Sequence, residues 1–200
     1  MLRNPIRTRR PAWTACLSLL LGSTASAQTA SIQGLGPLPP GFVATAATAV
    51  SGNGQVVVGW MLQSGGQQEA FRWTAATGIV PMGGLPAGYS RTRATGVSHD
   101  GSVIAGDAVG PTNTHVFVWT PGSGMQDRGM PTFPSYSEVY VTRVSNDGST
   151  VCGFTTAPGT GSTFGFAHAV GSASWELNQG LLGGGQNAVL QDLSGDGPVI

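Results

Sequence analysis

A nine-residue pattern that recurs four times constrains the fold of this chain more than any other feature. The copies begin 47, 47 and 49 residues apart. A nearly constant period in this range is typical of proteins built from stacked repeats. We therefore predict a repeat architecture. The copies read SGNGQVVVG from Ser51, SHDGSVIAG from Ser98, SNDGSTVCG from Ser145 and SGDGPVI from Ser194.

Each repeat contains four short segments typical of β-strands. In the first repeat they are residues 47–51, 55–61, 69–74 and 78–84, which are rich in Val, Thr, Phe and Trp and bounded by turn-forming residues. No stretch carries a convincing helical period. An Asn-Gly or Asp-Gly pair separates the first two segments and predicts a type I′ hairpin turn, with the preceding serine bonded to the turn backbone. These pairs are Asn53-Gly54, Asp100-Gly101, Asp147-Gly148 and Asp196-Gly197.

Four strands in about 47 residues predict the blade of a β-propeller, so the predicted fold class is all-β with propeller-like blades. A β-solenoid is the alternative, although its coils are usually shorter, about 20 to 30 residues. Aromatic residues recur at one point of each repeat. We predict that they pack between neighbouring sheets, with a ladder that stacks sugars or bases as the alternative. They are Phe71, Trp73, Phe117, Trp119 and Phe166.

The number of repeats leaves the predicted propeller incomplete. Three full repeats are followed by a fourth that reaches Ile200 within its second strand, whereas a closed propeller needs at least four blades. Residues 32–38 are a candidate outer strand for the last blade, but another strand would still be missing. We therefore predict a longer gene product or closure by oligomerisation, because unpaired sheet edges invite aggregation.

Residues 1–27 have the features of a secretory signal peptide. Four arginines within the first ten residues precede an apolar run from Trp13 to Leu21 and small residues that end at Ala27. The apolar run is too short for a transmembrane helix, which needs about 20 residues. We predict cleavage after Ala27, leaving residues 28–200 as a secreted, extracellular or periplasmic β-repeat domain. The Arg9-Arg10 pair leaves the choice between general and twin-arginine export open.

The composition of residues 28–200 argues against nucleic-acid binding and against an internal disulfide. This part of the chain has five arginines, no lysine and nine acidic residues, so it lacks the basic surface of a nucleic-acid-binding protein. Cys16 leaves with the leader, and Cys152 alone cannot form an internal disulfide. We predict that Cys152 is a small buried hydrophobe at the place of Val58 and Ala105 in the other repeats.

No residue pattern predicts a catalytic, cofactor-binding or metal site. Ser98, His99 and Asp100 are consecutive, so they cannot converge as a catalytic triad. The three histidines, His99, His115 and His168, lack the spacing of zinc ligands. The recurring turn aspartates raise the question of calcium, but each turn supplies a single carboxylate and is expected to stabilise itself. Arg91 and Arg93 do not recur, and we expect them in an exposed loop as a solvated pair or part of a binding site.

The serine turns, together with EAFRWT at 69–74 and HVFVWT at 115–120, resemble the HAF family of extracellular bacterial repeats, named for a His-Ala-Phe motif. The resemblance covers roughly residues 35–200. The chain departs from the motif at Glu69, at Val116 and at His168, which stands in the place of Trp119. The resemblance implies export and a repeat fold, and it implies no catalytic residues.

Two functions follow from this reasoning. The first is an exported, non-enzymatic extracellular β scaffold that binds a protein or a glycan through loops on one face. The alternative is a fragment of a larger exported enzyme or autotransporter passenger, whose active or membrane segment lies beyond Ile200. The fold alone does not separate them, because propellers host both binding and hydrolysis.

Overall fold

The computed structural model describes residues 34–84, 88–131, 138–157 and 162–178, and within these ranges it contains twelve β-strands and no helix. Each of the three full repeats supplies four strands, which confirms the prediction. The predicted leader and the fourth serine turn lie outside the described residues. The strands are β1 Phe42–Val50, β2 Val57–Gln63, β3 Gln68–Thr74, β4 Gly78–Pro81, β5 Arg91–Val97, β6 Ile104–Val109, β7 Thr114–Thr120, β8 Gly124–Gly129, β9 Glu138–Val144, β10 Thr150–Thr156, β11 Thr163–Ala169 and β12 Glu176–Asn178.

Each repeat forms its own antiparallel sheet, with strands paired in chain order. We call them the first, second and third sheets. The first strand of each later sheet packs on the sheet before it: β5 contacts β1, β2 and β3, and β9 contacts β5, β6 and β7. A single parallel bridge between Gln68 and Arg91 joins the first two sheets. This is the stacking predicted for propeller blades.

The serine turns differ from the predicted type I′ hairpins. In a type I′ turn both central residues have positive φ, but here only the glycines do, at 73° for Gly54, 75° for Gly101 and 73° for Gly148. The prediction of turn type was therefore wrong. The Gly54 N–H donates to the Ser51 carbonyl oxygen at 2.8 Å, and the turn lies within a four-residue loop closed by the Ser51 N–H and the Val56 carbonyl.

The serine explains why the loop is longer than the dipeptide suggests. The Ser98 hydroxyl accepts a hydrogen bond from the Val103 N–H at 3.0 Å and donates one to Asp100 Oδ1 at 2.7 Å. Asp100 Oδ1 also accepts the Ser102 N–H at 2.9 Å. The side chains thereby satisfy backbone groups that a two-residue turn would pair directly. The first and third turns repeat this arrangement around Ser51 and Ser145.

Successive turns bond directly to one another and form a ladder across the three sheets. The Asn53 N–H donates to the His99 carbonyl oxygen at 3.0 Å, and the His99 N–H donates to the Asn146 carbonyl oxygen at 2.9 Å. The turn glycines fit against the preceding repeat: a Cβ on Gly101 would lie 2.3 Å from a methyl carbon of Val56. The turn ladder therefore fixes the spacing between sheets at this end.

The glycine that closes each nine-residue pattern is required by close packing. A Cβ on Gly106 would lie 1.9 Å from the Arg93 carbonyl oxygen and 2.8 Å from the Phe117 ring. A Cβ on Gly59 or on Gly153 would likewise clash with a carbonyl oxygen of the first strand and with a phenylalanine ring. A β-bulge interrupts the first strand beside each of these glycines, which brings that carbonyl close to the second strand.

The core lies between the sheets, and a smaller cluster on the first sheet surrounds Met61, Phe71 and Ile79. Phe71, Phe117 and Phe166 are fully buried, so the predicted packing role of these rings is confirmed and they cannot stack on a ligand. Cys152 is fully buried, as predicted from Val58 and Ala105. Residues 34–39 form no strand. Leu35 and Leu38 instead pack on the first sheet, so this part of the segment 32–38 does not extend the last sheet.

Candidate binding site

A polar cleft of about 210 Å³ opens between the first and second sheets. It lies at the end of the sheets that carries the β2–β3 hairpin, opposite the turn ladder. Four of its residues come from that hairpin, and the rest come from the segment between β4 and β5 and from the first two residues of β5. The lining residues are Gln63, Gln67, Gln68, Glu69, Gly84, Tyr89, Ser90, Arg91 and Thr92.

Hydrogen bonds hold both walls of the cleft in place. The Gln63 N–H donates to the Gln67 carbonyl oxygen at 2.8 Å and closes the hairpin. The Gln63 side-chain amide donates to Glu69 Oε2 at 3.2 Å. Across the cleft, the Ala70 N–H donates to the Thr92 hydroxyl at 2.9 Å. The walls are therefore formed by paired strands and a short hairpin, which favours a preformed site.

Two buried polar atoms at the cleft have no hydrogen-bond partner among the described residues, namely Gln68 Oε1 and Arg91 Nε. A buried polar atom without a partner costs roughly 1 to 3 kcal/mol, so such atoms are uncommon in native structures. Arg91 also supplies a positive charge and Glu69 a negative one, which leaves the walls electrically balanced.

The cleft residues are not part of the repeat pattern. Glu69 corresponds to His115 in the second sheet and to Phe164 in the third, and Arg91 corresponds to Glu138 in the third. A residue type that does not recur at equivalent positions of the repeats is not required by the fold. Such a residue is a candidate for a role specific to one site. The expectation of an exposed loop pair was wrong, because Arg91 and Arg93 both lie in β5 and are half-buried.

Arg93 is bound by a residue that the sequence reasoning missed. Its Nε and Nη2 atoms donate to the carboxylate of Asp107 at 3.1 and 3.2 Å. Asp107 is 1% exposed in the middle of β6. Burial raises the pKa of Asp107, and the Arg93 charge opposes that shift. An acidic residue inside the apolar segment IAGDAV was the available signal, and it indicated a buried partner.

A second polar cluster borders the cleft and was also missed. Tyr89 donates its hydroxyl to Asp127, and His115 Nδ1 lies 2.8 Å from the Tyr89 hydroxyl and 2.9 Å from Asp127 Oδ2. Burial and the hydrogen bond to Asp127 raise the pKa of Tyr89 to about 12. Burial would raise the pKa of Asp127, but hydrogen bonds from Tyr89, Gly129 and His115 outweigh it and lower that pKa. The sequence held no local signal, since these residues lie on different strands.

The remaining residues considered from the sequence lie apart. His99 is exposed in the turn ladder, whereas His168 is 2% exposed and stacks on Trp175 with ring centroids 4.2 Å apart. Ser98 bonds Asp100 and does not contact His99 as a triad would require. In the parts of the chain that the structure describes, no three His, Cys, Asp or Glu side chains are grouped so that they could hold a metal ion. The same parts contain no helix that could span a membrane.

Comparison with solved structures identifies the architecture. TolB from Acinetobacter baumannii superposes with a TM-score of 0.51 and 16% identity, over 77% of this chain and 36% of that chain. The fold is an incomplete β-propeller. TolB from Agrobacterium tumefaciens follows with a TM-score of 0.47 and 16% identity, over 64% of this chain and 43% of that one. A prolyl endopeptidase has a TM-score of 0.48 and 13% identity, over 68% of this chain and 22% of that one.

This chain spans about a third of the length of the Acinetobacter TolB that it matches. The predicted all-β, propeller-like fold class is confirmed. No family model and no curated protein matches the sequence. Membership of the HAF family stays a prediction.

Proposed function

We propose that this chain is an exported, non-enzymatic β-propeller scaffold that binds a glycan in the cleft between its first and second sheets. The observation that carries the proposal is the chemistry of the cleft walls, which combine three glutamine amides, a carboxylate, a guanidinium and hydroxyl groups. These groups supply both hydrogen-bond donors and acceptors. A sugar ring, whose hydroxyl groups also donate and accept, is the ligand that such walls suit best.

The size and charge of the cleft support the same ligand class. Its volume of about 210 Å³ is below the roughly 300 to 1,000 Å³ of pockets for drug-sized molecules, so it suits one sugar ring of a longer glycan. The charges of Glu69 and Arg91 balance, which favours a neutral ligand. A protein partner would cover about 800 Å² of this surface, most of it outside the cleft.

The non-enzymatic part of the proposal rests on the count of acids at the cleft. Glycoside hydrolysis usually needs two carboxyl groups that flank the bond, about 5 to 9.5 Å apart. Among the described residues that line the cleft, Glu69 is the one carboxylate. We therefore expect the ligand to be bound and released unchanged. The export part rests on the leader-like residues 1–27.

The test is a glycan-array screen of the purified full chain, followed by titration calorimetry with the glycan that binds. Arg91→Gln and Gln67→Ala should each weaken binding about tenfold or more, because each removes hydrogen bonds to the ligand. Arg143→Gln and Gln126→Ala are matched controls, since these exposed residues lie outside the cleft. Binding that falls equally in the controls, or no glycan bound by the folded chain, would refute the site.

Two further measurements address the other parts of the proposal. Mass spectrometry of the glycan after incubation should find it intact, and cleavage would contradict the non-enzymatic role. The N-terminal sequence of the protein recovered from its host should begin at Gln28. A protein that keeps residues 1–27 would contradict export by a cleaved leader.

A further inference from the structure

Within the described part of the chain, the first sheet leaves uncovered a surface that is buried in the other two sheets. We call it the leading face: the side of a sheet's first strand that faces the preceding sheet. In β9 this face is buried at Val139, Val141 and Val144, and in β5 Thr92 and Ala94 are 4% and 0% exposed. In β1, by contrast, Val43 and Val50 are each 60% exposed. Thr45 and Ala47 between them are exposed as well.

In the second and third sheets, the preceding sheet covers the leading face. Ala94 packs in one cluster with Val58 and Ala70 of the first sheet, and the Ala70 N–H donates to Thr92. The three valines of β9 pack in the same way against the second sheet. Each interface therefore joins the leading face of one sheet to the opposite face of the preceding sheet. The two sheets are successive copies of one repeat.

The sequence of β1 reads FVATAATAV and contains no charged residue and no proline. Exposed strands normally carry such residues, because they prevent unwanted association. The outer part of the first sheet is already covered, since Leu35 and Leu38 pack on Met61, Phe71 and Ile79. On the leading face, the exposed apolar side chains are thus those of β1, which is the strand that a preceding sheet would contact.

We infer that the leading face of β1, formed by Val43, Thr45, Ala47 and Val50, docks a β-sheet from a second copy of this chain. The occupant follows from continuity with the two internal interfaces, where the preceding sheet covers the residues that correspond to Thr45, Ala47 and Val50. The two ends of the stack are unlike, so a contact joins the leading end of one copy to the opposite end of another. Two such contacts related by a twofold axis would close a ring, and known propellers have 4 to 8 blades.

Sedimentation equilibrium of the full chain from about 1 to 100 µM tests the inference, because a dimer with a Kd of about 10 µM would dissociate within this range. We expect a reversible complex of two chains. Val50→Asp should weaken association about tenfold or more, because it would bury an unpaired carboxylate. Val80→Asp is the matched control, since Val80 is 43% exposed on the outer strand β4 of the same sheet. A monomer at every concentration, or equal effects of the two variants, would overturn the inference.

Thiol labelling gives a second readout that does not depend on how well Val50→Asp folds. In a Thr45→Cys variant the new thiol should react slowly in concentrated protein and quickly after dilution. A Thr77→Cys variant, in an exposed turn, should react at the same rate in both. Both variants also carry Cys16→Ser, so that the remaining native thiol is Cys152, which is buried and adds little background. A Thr45→Cys rate that does not change with dilution would exclude a second copy as the occupant. The glycan-site variants Arg91→Gln and Gln67→Ala should leave association unchanged, so either proposal can fail without the other.

Discussion

Arg93 in β5 and Asp107 in β6 are cross-strand neighbours and form a bidentate ion pair, with N–O distances of 3.1 and 3.2 Å. The same register holds Ala46 opposite Trp60 in the first sheet and Tyr140 opposite Phe154 in the third. The rings of Tyr140 and Phe154 stack with centroids 5.1 Å apart. The second repeat thus carries a charged cross-strand pair where the other two repeats carry apolar or aromatic pairs.

Arg93→Ala should lower the free energy of unfolding by about 1 to 3 kcal/mol, because it leaves the buried Asp107 carboxylate without its partner. The effect should be smaller than for a fully buried pair, since the Arg93 side chain is 28% exposed. Urea unfolding measures it. The double variant Arg93→Tyr with Asp107→Phe copies the third repeat and should restore stability to near that of the parent. If Arg93→Ala costs no more than Gln126→Ala, a substitution at an exposed residue outside the pair, the ion pair does not stabilise the fold.

Gly106→Ala should destabilise the protein by about 1 to 3 kcal/mol or more, because the added methyl would force the Arg93 carbonyl and Phe117 apart. Thermal unfolding followed by circular dichroism should show a lower midpoint. Gly122→Ala is the control, since a Cβ there meets no atom within 4 Å. Equal midpoints for the two variants would mean that the strands shift to accept the methyl at little cost.

Stability should fall as the pH drops from about 4 towards 2, in part through the turn aspartates. Hydrogen bonds from the Ser102 backbone and from Ser98 lower the pKa of Asp100 from 3.8 to about 2. The pKa of Asp147 is lowered by hydrogen bonds from Ser145 and Ser149. The unfolded chain therefore binds protons first, and the stability that these carboxylates contribute is complete above pH 4 and lost through pH 2.

The double variant Asp100→Asn with Asp147→Asn should reduce this acid dependence and change stability little at pH 7. Asparagine is a fair replacement because Asn53 makes the same contacts in the first turn. Urea unfolding at pH 2.5, 3.5 and 7 provides the comparison, at values chosen around the shifted pKa. An unchanged slope in the variant would assign the acid sensitivity to other carboxylates.

At the alkaline end, stability should fall as the pH rises from 10 to 12. Burial and Asp127 raise the pKa of Tyr89 from 10.0 to about 12. The unfolded chain therefore releases this proton first, so the contribution of Tyr89 is complete below pH 10 and lost as the pH approaches 12. Tyr89→Phe should flatten this decline in urea unfolding. Absorbance at 295 nm measures tyrosine ionisation. The ionisation of Tyr89, which is absent from Tyr89→Phe, should occur near pH 12 in the parent and at lower pH in Asp127→Asn. A change near pH 10 that the parent shows and Tyr89→Phe lacks would contradict the cluster geometry, since the signals of Tyr136 and Tyr140 are common to both proteins.

The sequence predicted the strands well because their signals are local. The recurring glycine of the SHDGSVIAG pattern and the alternating apolar residues reappear as the β-bulge contact at Gly106 and the core position of Phe117. The type of turn was misjudged because an Asp-Gly pair was assumed to form a two-residue loop. The buried Ser98 hydroxyl instead bonds Val103 and extends the loop to four residues.

The candidate site was largely beyond sequence reasoning. Arg91 was singled out, but the cleft needs Gln68 and Glu69 from a different sheet, and only the stacking of sheets brings them together. Tyr89 and Asp127 are separated by 38 residues. Such pairings depend on the angle and register between sheets, which no short pattern records.

The turn ladder has a consequence for how proteins of this design can change in length. Asn53, His99 and Asn146 bond one another through backbone atoms alone, so a new link needs a complete turn but no particular side chain. Duplicating one whole repeat would extend the ladder without breaking a bond, whereas inserting part of a repeat would shift every later turn out of reach. Among descendants of such a gene, length should therefore vary in steps of whole repeats, and shorter insertions should be confined to the opposite end of the sheets, where the cleft lies.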